Sequence, residues 1–267
     1  MSGVVDHTLT WFGKSLARLL AREVHVHGLG SATDPDLLLA CLQPGDVLLV
    51  EGNSRISSAI KYLTQSTWSH AAMYVGADLT ELGGPEGHCF VEADTVEGVR
   101  SVGVTEFAHA HTRICRAVGL GDAERHQLTR YVIERLGNQY DLRNVIDLAR
   151  YLLPTPPVPA GKRRSMIALG SGDPTRAICS TLIAQAFQSI RYPILPLVEL
   201  RDAGRPECPI CKEELLKIRH HSLFAPRDFD VSPYFQVIKP SLVPGFDPRT
   251  LKWADRVDGF NPASGEG

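Results

Sequence analysis

Residues 174–187, PTRAICSTLIAQAF, run from a loop ending in Asp173, Pro174 and Thr175 into an apolar helical pattern, and this stretch restricts the fold more than any other. An apolar helix must be covered over most of its surface, so the remainder of the chain has to supply a layer that covers it. The same helix carries Cys179 in its first turn. There the unsatisfied N–H groups and the positive end of the helix dipole favour a thiolate, and such sites can lower a cysteine pKa from about 8.5 to roughly 3.5–7.5. A free helical cysteine is more often a small buried apolar side chain. The nucleophile reading therefore depends on finding a base elsewhere in the chain.

Two upstream segments read as short strands and carry the partners: TWSHAAMYVG (67–76) with His70, and HCFVEADTVEGV (88–99) with Glu92. Alternation in the second puts Phe90, Glu92 and Asp94 on one face and Cys89, Val91 and Ala93 on the other, so Glu92 can face a site rather than bulk solvent. Imidazole is the side chain best matched to taking a thiol proton near neutral pH. A carboxylate on its other nitrogen fixes the tautomer and stabilises the imidazolium, an arrangement that recurs on unrelated folds. Each residue alone carries little, since a strand histidine is usually a structural donor and a strand glutamate usually a solvated charge.

Their order and flanks carry more. QPGDVLLVEG (43–52), the Ser69-His70 strand, VEAD with Glu92, GNQYDL (137–142) and ICSTLIAQAF with Cys179 together resemble the permuted NlpC/P60 papain-like cysteine hydrolases of the YiiX/YaeF-type branch. In that group the strands bearing the histidine and the polar third residue precede the helix bearing the cysteine. APRDFDVSPYFQVI (225–238) resembles the group's closing segment, so the resemblance spans roughly residues 41–240. It implies an α+β fold of the circularly permuted papain-like type, a small antiparallel β-barrel or sheet packed on helices. It also implies cleavage of an amide or peptide bond through an acyl-enzyme, with Cys179 as nucleophile, His70 as base and Glu92 orienting His70. Two other readings stay open: a lipid-directed thiol acyltransferase or phospholipase of the lecithin retinol acyltransferase-like type, and a catalytically silent binding module on the same fold. The resemblance further suggests Tyr140 at the substrate, donating its phenolic hydrogen bond to a developing oxyanion. The alternative for Tyr140 is an amphipathic ring packed at the barrel edge. Asp46 and Asp141 read as turn or helix-capping residues.

Domain boundaries follow from composition and pattern. In the N-terminal 30 residues Leu9, Phe12, Leu16, Leu19 and Leu20 recur at helical spacing with Lys14, Arg18 and Arg22 between them, which predicts an amphipathic helix that docks on the core or, over residues 8–22, touches a membrane surface. A catalytic domain is expected over 41–240, with an irregular surface insertion at about 191–221, followed by a tail over 241–267. Helices are expected over 54–64, 123–136 and 144–152, the last stopped by PTPPVP (154–159). At 267 residues, 43% hydrophobic and with a net charge of -2, the chain can build one substantial core and lacks the charge of a nucleic-acid surface. The GKRR run (161–164) reads as a solvated loop.

Six cysteines in so long a chain are not a dense disulfide framework, and residues 1–30 lack the pattern of a secretory signal, so a cytoplasmic location is expected. ECPIC (207–211) followed by His220 and His221 offers four zinc ligands in kind and number. Two adjacent imidazoles do not match the usual ligand spacing, so neither a metal nor a cofactor is expected.

Overall fold

In the computed structural model the described residues are 33–94, 97–139, 178–202, 207, 212–240 and 247–250. Eight strands and six α-helices fall within them: α1 (Pro35–Cys41), β1 (Val47–Glu51), α2 (Arg55–Thr64), β2 (His70–Tyr74), α3 (Asp78–Glu81), β3 (Phe90–Asp94), β4 (Gly98–Val102), β5 (His111–Ala117), α4 (Asp122–Ile133), α5 (Ile178–Ser189), β6 (Leu197–Asp202), β7 (Lys212–Lys217), α6 (Pro226–Asp230) and β8 (Phe235–Ile238). Six strands form one sheet in the order β4-β3-β2-β1-β5-β8, every neighbour antiparallel.

Strict alternation divides the sheet into two apolar faces. Val47, Leu49, Ala71, Met73, Val91 and Ala93 pack with Leu182, Ile183, Ala186 and Phe187 of α5 and with Leu128 and Val132 of α4. On the reverse face Leu48, Val50, Ala72, Phe90 and Ile114 pack with Leu38 of α1 and with Phe107. The apolar helix read from the sequence is thus the element that fills one side of the sheet. That arrangement also corrects part of the expected fold. The antiparallel sheet on helices is present, but it stays open with β4 and β8 as its edges rather than closing into a barrel. The space that a barrel's far strands would occupy is taken by α5 and its aromatic neighbours, Phe187 lying 5.1 Å from Phe235 and 6.2 Å from Phe229 between ring centroids.

Local signals explain several boundaries. Ser54 caps α2 by accepting from Ser57 N at 3.1 Å, and the expected helix over 123–136 ends at Ile133 before a turn that closes on Gly137 at φ +81°. The insertion departs from expectation: β6 and β7 pair as an antiparallel hairpin from Leu197↔Lys217 to Asp202↔Lys212. Cys208 and Cys211, the N-terminal helix with its residues 8–22, the segment 144–152 and the GKRR run lie outside the described residues. Among the described residues no helix is long and apolar enough to cross a membrane.

Candidate active site

His70 opens β2, and the register that pairs Ala72 with Glu92 places His70 and Glu92 as diagonal neighbours on one sheet face. Their side chains meet, His70 Nε2 lying 2.7 Å from Glu92 Oε2. The carboxylate is almost wholly buried, at 3% side-chain exposure against 26% for the imidazole. A buried carboxylate needs partners on both oxygens. The second is supplied by the next strand, where Arg100 stands directly opposite Glu92 and donates from Nε to Oε1 at 2.8 Å. Arg100 also reaches Glu97 at 3.2 Å and Glu106 at 2.7 Å, so one guanidinium ties three carboxylates together.

Cys179 is the second residue of the described part of α5 and is buried, at 5% exposure. Its sulfur is close enough to His70 to help raise the imidazole's pKa. The next residue anchors the helix start, Ser180 Oγ donating to Phe224 O at 2.6 Å in a fully buried position. Two turns of apolar packing through Leu182, Ile183 and Phe187 fix the rest of α5 on the sheet. Cys179, His70 and Glu92, distant in sequence, are therefore brought into one neighbourhood, with His70 bonded to Glu92. Tyr140 lies outside the described residues.

Burial opposes a charge on His70, but the Glu92 carboxylate and the Cys179 sulfur outweigh it and hold the imidazole's pKa well above 6.5. Burial acts on Glu92 in the opposite sense to its neighbours: it would raise the carboxyl, yet His70 and Arg100 bring it down to about 2. The neighbourhood thus favours an imidazolium beside a carboxylate. Elsewhere burial pushes two thiols upward, Cys115 to about 12 and Cys89 as well.

These shifts set a pH dependence of stability. Because the folded value of Glu92 is below its ordinary 4.5, its contribution is complete above that value and is lost as pH falls from 4.5 towards 2. His70 has the opposite sign, its contribution being complete below 6.5 and lost as pH rises through its higher folded value. Glu92→Gln is expected to flatten the acid limb, removing on the order of 3 kcal/mol of pH-dependent stability. Urea midpoints measured from pH 5 to pH 2 check this, and an unchanged slope would show that Glu92 is not held as a charge.

Arg100 was not among the residues singled out by sequence. Its signal was present in the pairing of FVEAD with GVRSV across a short turn, but only the register Glu92↔Arg100 gives it meaning. Of the turn and capping roles open to Asp46, the structure shows the turn: it accepts from Gln43 N at 2.8 Å and is also clasped by Arg116 at 2.7 and 2.9 Å. His220 and His221 stack at 4.0 Å between ring centroids, with His220 Nδ1 2.8 Å from Ser222 Oγ. Among the described residues no group of three or more His, Cys, Asp and Glu side chains is arranged to hold a metal ion.

Comparison with known proteins finds a similarity over part of the chain. Residues 41–151 match the family described as permuted papain-like amidase enzyme, YaeF/YiiX, C92 family. The matched stretch includes His70 and Glu92. The match ends before Cys179 and is shorter than the 41–240 over which the sequence motifs resemble this group. The crystal structure of the metalloprotein yiiX from Escherichia coli O157:H7 is similar at 16% identity, over 74% of this chain and 97% of that one, with a TM-score of 0.43. No curated protein matches the chain.

Proposed function

We propose that this chain, whose residues 41–151 carry the permuted papain-like YaeF/YiiX pattern, is a cysteine hydrolase that cleaves an amide or peptide bond through an acyl-enzyme on Cys179. The observation that supports this reading most is His70 standing between the Cys179 sulfur and the buried Glu92 carboxylate. With Nε2 held by Glu92, Nδ1 is the nitrogen that serves the sulfur. The Cys179 sulfur attacks the amide carbonyl carbon, and His70 gives its proton to the departing amine as the C–N bond breaks. A water then attacks the thioester while His70 takes its proton, releasing the acid and regenerating the starting pair. Backbone N–H groups at the start of α5 hold the oxyanion, and Tyr140 is assigned as a further donor to it. Arg100 does not touch the reacting atoms; it keeps Glu92 ionised and in place.

Thiol reactivity tests the assignment directly. At neutral pH, iodoacetamide is expected to modify Cys179 about a hundredfold faster than Cys89 or Cys115, because burial disfavours the thiolate at Cys89 and Cys115 while His70 stands beside the Cys179 sulfur as base. His70→Ala should slow Cys179 alone. Labelling at equal rates at all three positions, read by peptide mass mapping, would remove the nucleophile from this proposal.

A further inference from the structure

Beside the strand that carries His70, the ends of β1 and β5, the loop before β2, and α6 enclose a cavity of about 560 Å³. Its wall contains three permanent cations, Lys61, Arg113 and Arg227, against two carboxylates, Glu51 and Asp230. The carboxylates are saturated from within the wall. Glu51 Oε1 accepts from Lys61 at 3.2 Å and Oε2 lies 3.3 Å from His111 Nδ1. Asp230 Oδ1 accepts from Arg113 Nη1 at 2.6 Å, and Oδ2 accepts from the indole N–H of Trp68 at 3.0 Å.

The cations are not saturated in this way. Arg227 is exposed, donates from Nη1 to Thr64 O at 3.0 Å, and forms no ion-pair contact with a carboxylate among the described residues, although its charge is felt by the neighbouring Asp228. Lys61 and Arg113 each engage one acid and retain further N–H groups. The wall therefore has every acidic oxygen committed, donors in surplus and one positive charge in excess, before any charge on His111. A cation would have to share carboxylate oxygens that already accept from the wall and would add to its positive charge, and a neutral group leaves the charge unbalanced. A carboxylate or phosphate matches both the surplus donors and the charge, and the guanidinium fork suits either geometrically.

We propose that this cavity is an anion subsite that takes the carboxylate or phosphate of a small ligand. Its position gives it a role at the candidate active site: Trp68 precedes His70 by two residues, and Val50, which pairs with His70, is followed by Glu51 in the wall. An acidic group held there lies alongside the strand that presents the base. That role rests on the hydrolase reading, whereas the binding does not.

The test follows the Trp68 indole N–H by NMR in the full chain, since that group bonds to Asp230 in the wall and is one of three indoles in the sequence. N-acetylglycine and inorganic phosphate should each shift this signal saturably in wild type and in Cys179→Ala alike. N-acetylglycinamide, which lacks the charge, should bind at least about tenfold more weakly, and Arg227→Gln should weaken both anions by about the same factor. Arg227→Lys should restore part of the loss, and circular dichroism of both variants checks that the fold is kept. Equal binding of the amide, no saturable shift with either anion, or full affinity in Arg227→Gln would overturn the subsite. A response to phosphatidylglycerol vesicles without one to either soluble anion would also overturn it, in favour of a membrane surface. Anion binding accompanied by undiminished amide turnover in Cys179→Ala would instead sink the hydrolase reading and leave the subsite standing.

Discussion

Cys179→Ala and His70→Ala are each expected to lower kcat/KM on an amide substrate by on the order of 10⁴-fold or more, and the double variant should be no slower than the slower single one. The reason lies in the proposed pairing of the two residues, in which the Cys179 sulfur and the His70 imidazole act as one unit. The thiol needs a partner to become a nucleophile and to deliver a proton to the amine. The imidazole, without a sulfur to serve, has only a water to activate in a site not arranged for it. Removing either removes the unit, so their losses do not multiply. Steady-state kinetics on the two single variants and the double, with folding verified by circular dichroism, settle the matter. Losses that multiply in the double variant would show two groups acting independently, and a Cys179→Ala enzyme with ordinary turnover would end the cysteine-hydrolase proposal.

The parts of this arrangement that were legible in the sequence are those encoded by local periodicity. Alternation in VEAD placed Glu92 with Phe90 and away from Val91 and Ala93, and the structure divides them the same way between its two apolar faces. The apolar pattern after Thr175 announced α5, and Ser54 announced the start of α2. What escaped depends on register and on contacts between distant segments. Arg100 acquires its role only because β4 lies opposite β3 in one of the registers open to it, a choice that no single strand records. The anion cavity draws its wall from residues 51, 61, 113, 227 and 230, each unremarkable in its own neighbourhood. The hairpin of β6 and β7 escaped for a different reason. LVELRD and KEELLK expose apolar side chains such as Leu200 and Leu216, and their glutamates and lysines are depleted in strands, so composition argued for an irregular insertion.

Replacing Glu92 and replacing Arg100 should move the alkaline limb of the kcat/KM profile in opposite directions. That limb reports loss of the His70 proton, and the groups that act on it come from three elements: Glu92 on β3, Cys179 on α5 and, through Glu92, Arg100 on β4. Glu92→Gln keeps a hydrogen-bonding side chain but removes the charge that raises the imidazole, so the limb should fall to lower pH. Turnover should drop by about 10²–10⁴-fold while remaining measurably above that of His70→Ala. Arg100→Leu does the reverse. It frees Glu92 from the cation that shares its charge, the carboxylate pulls harder on the His70 proton, and the limb should rise to higher pH. Arg100→Lys, which retains the charge but not the fork, should fall between Arg100→Leu and wild type. A merely structural arginine would lower activity at every pH without displacing the limb. Shifts of the same sign in both variants would break the proposed chain from Arg100 through Glu92 to His70. Asp94 lies two residues along β3 on the same face as Glu92. Full activity in Glu92→Gln together with its loss in Asp94→Asn would therefore move the third member by one side-chain repeat and leave Cys179 and His70 where they are.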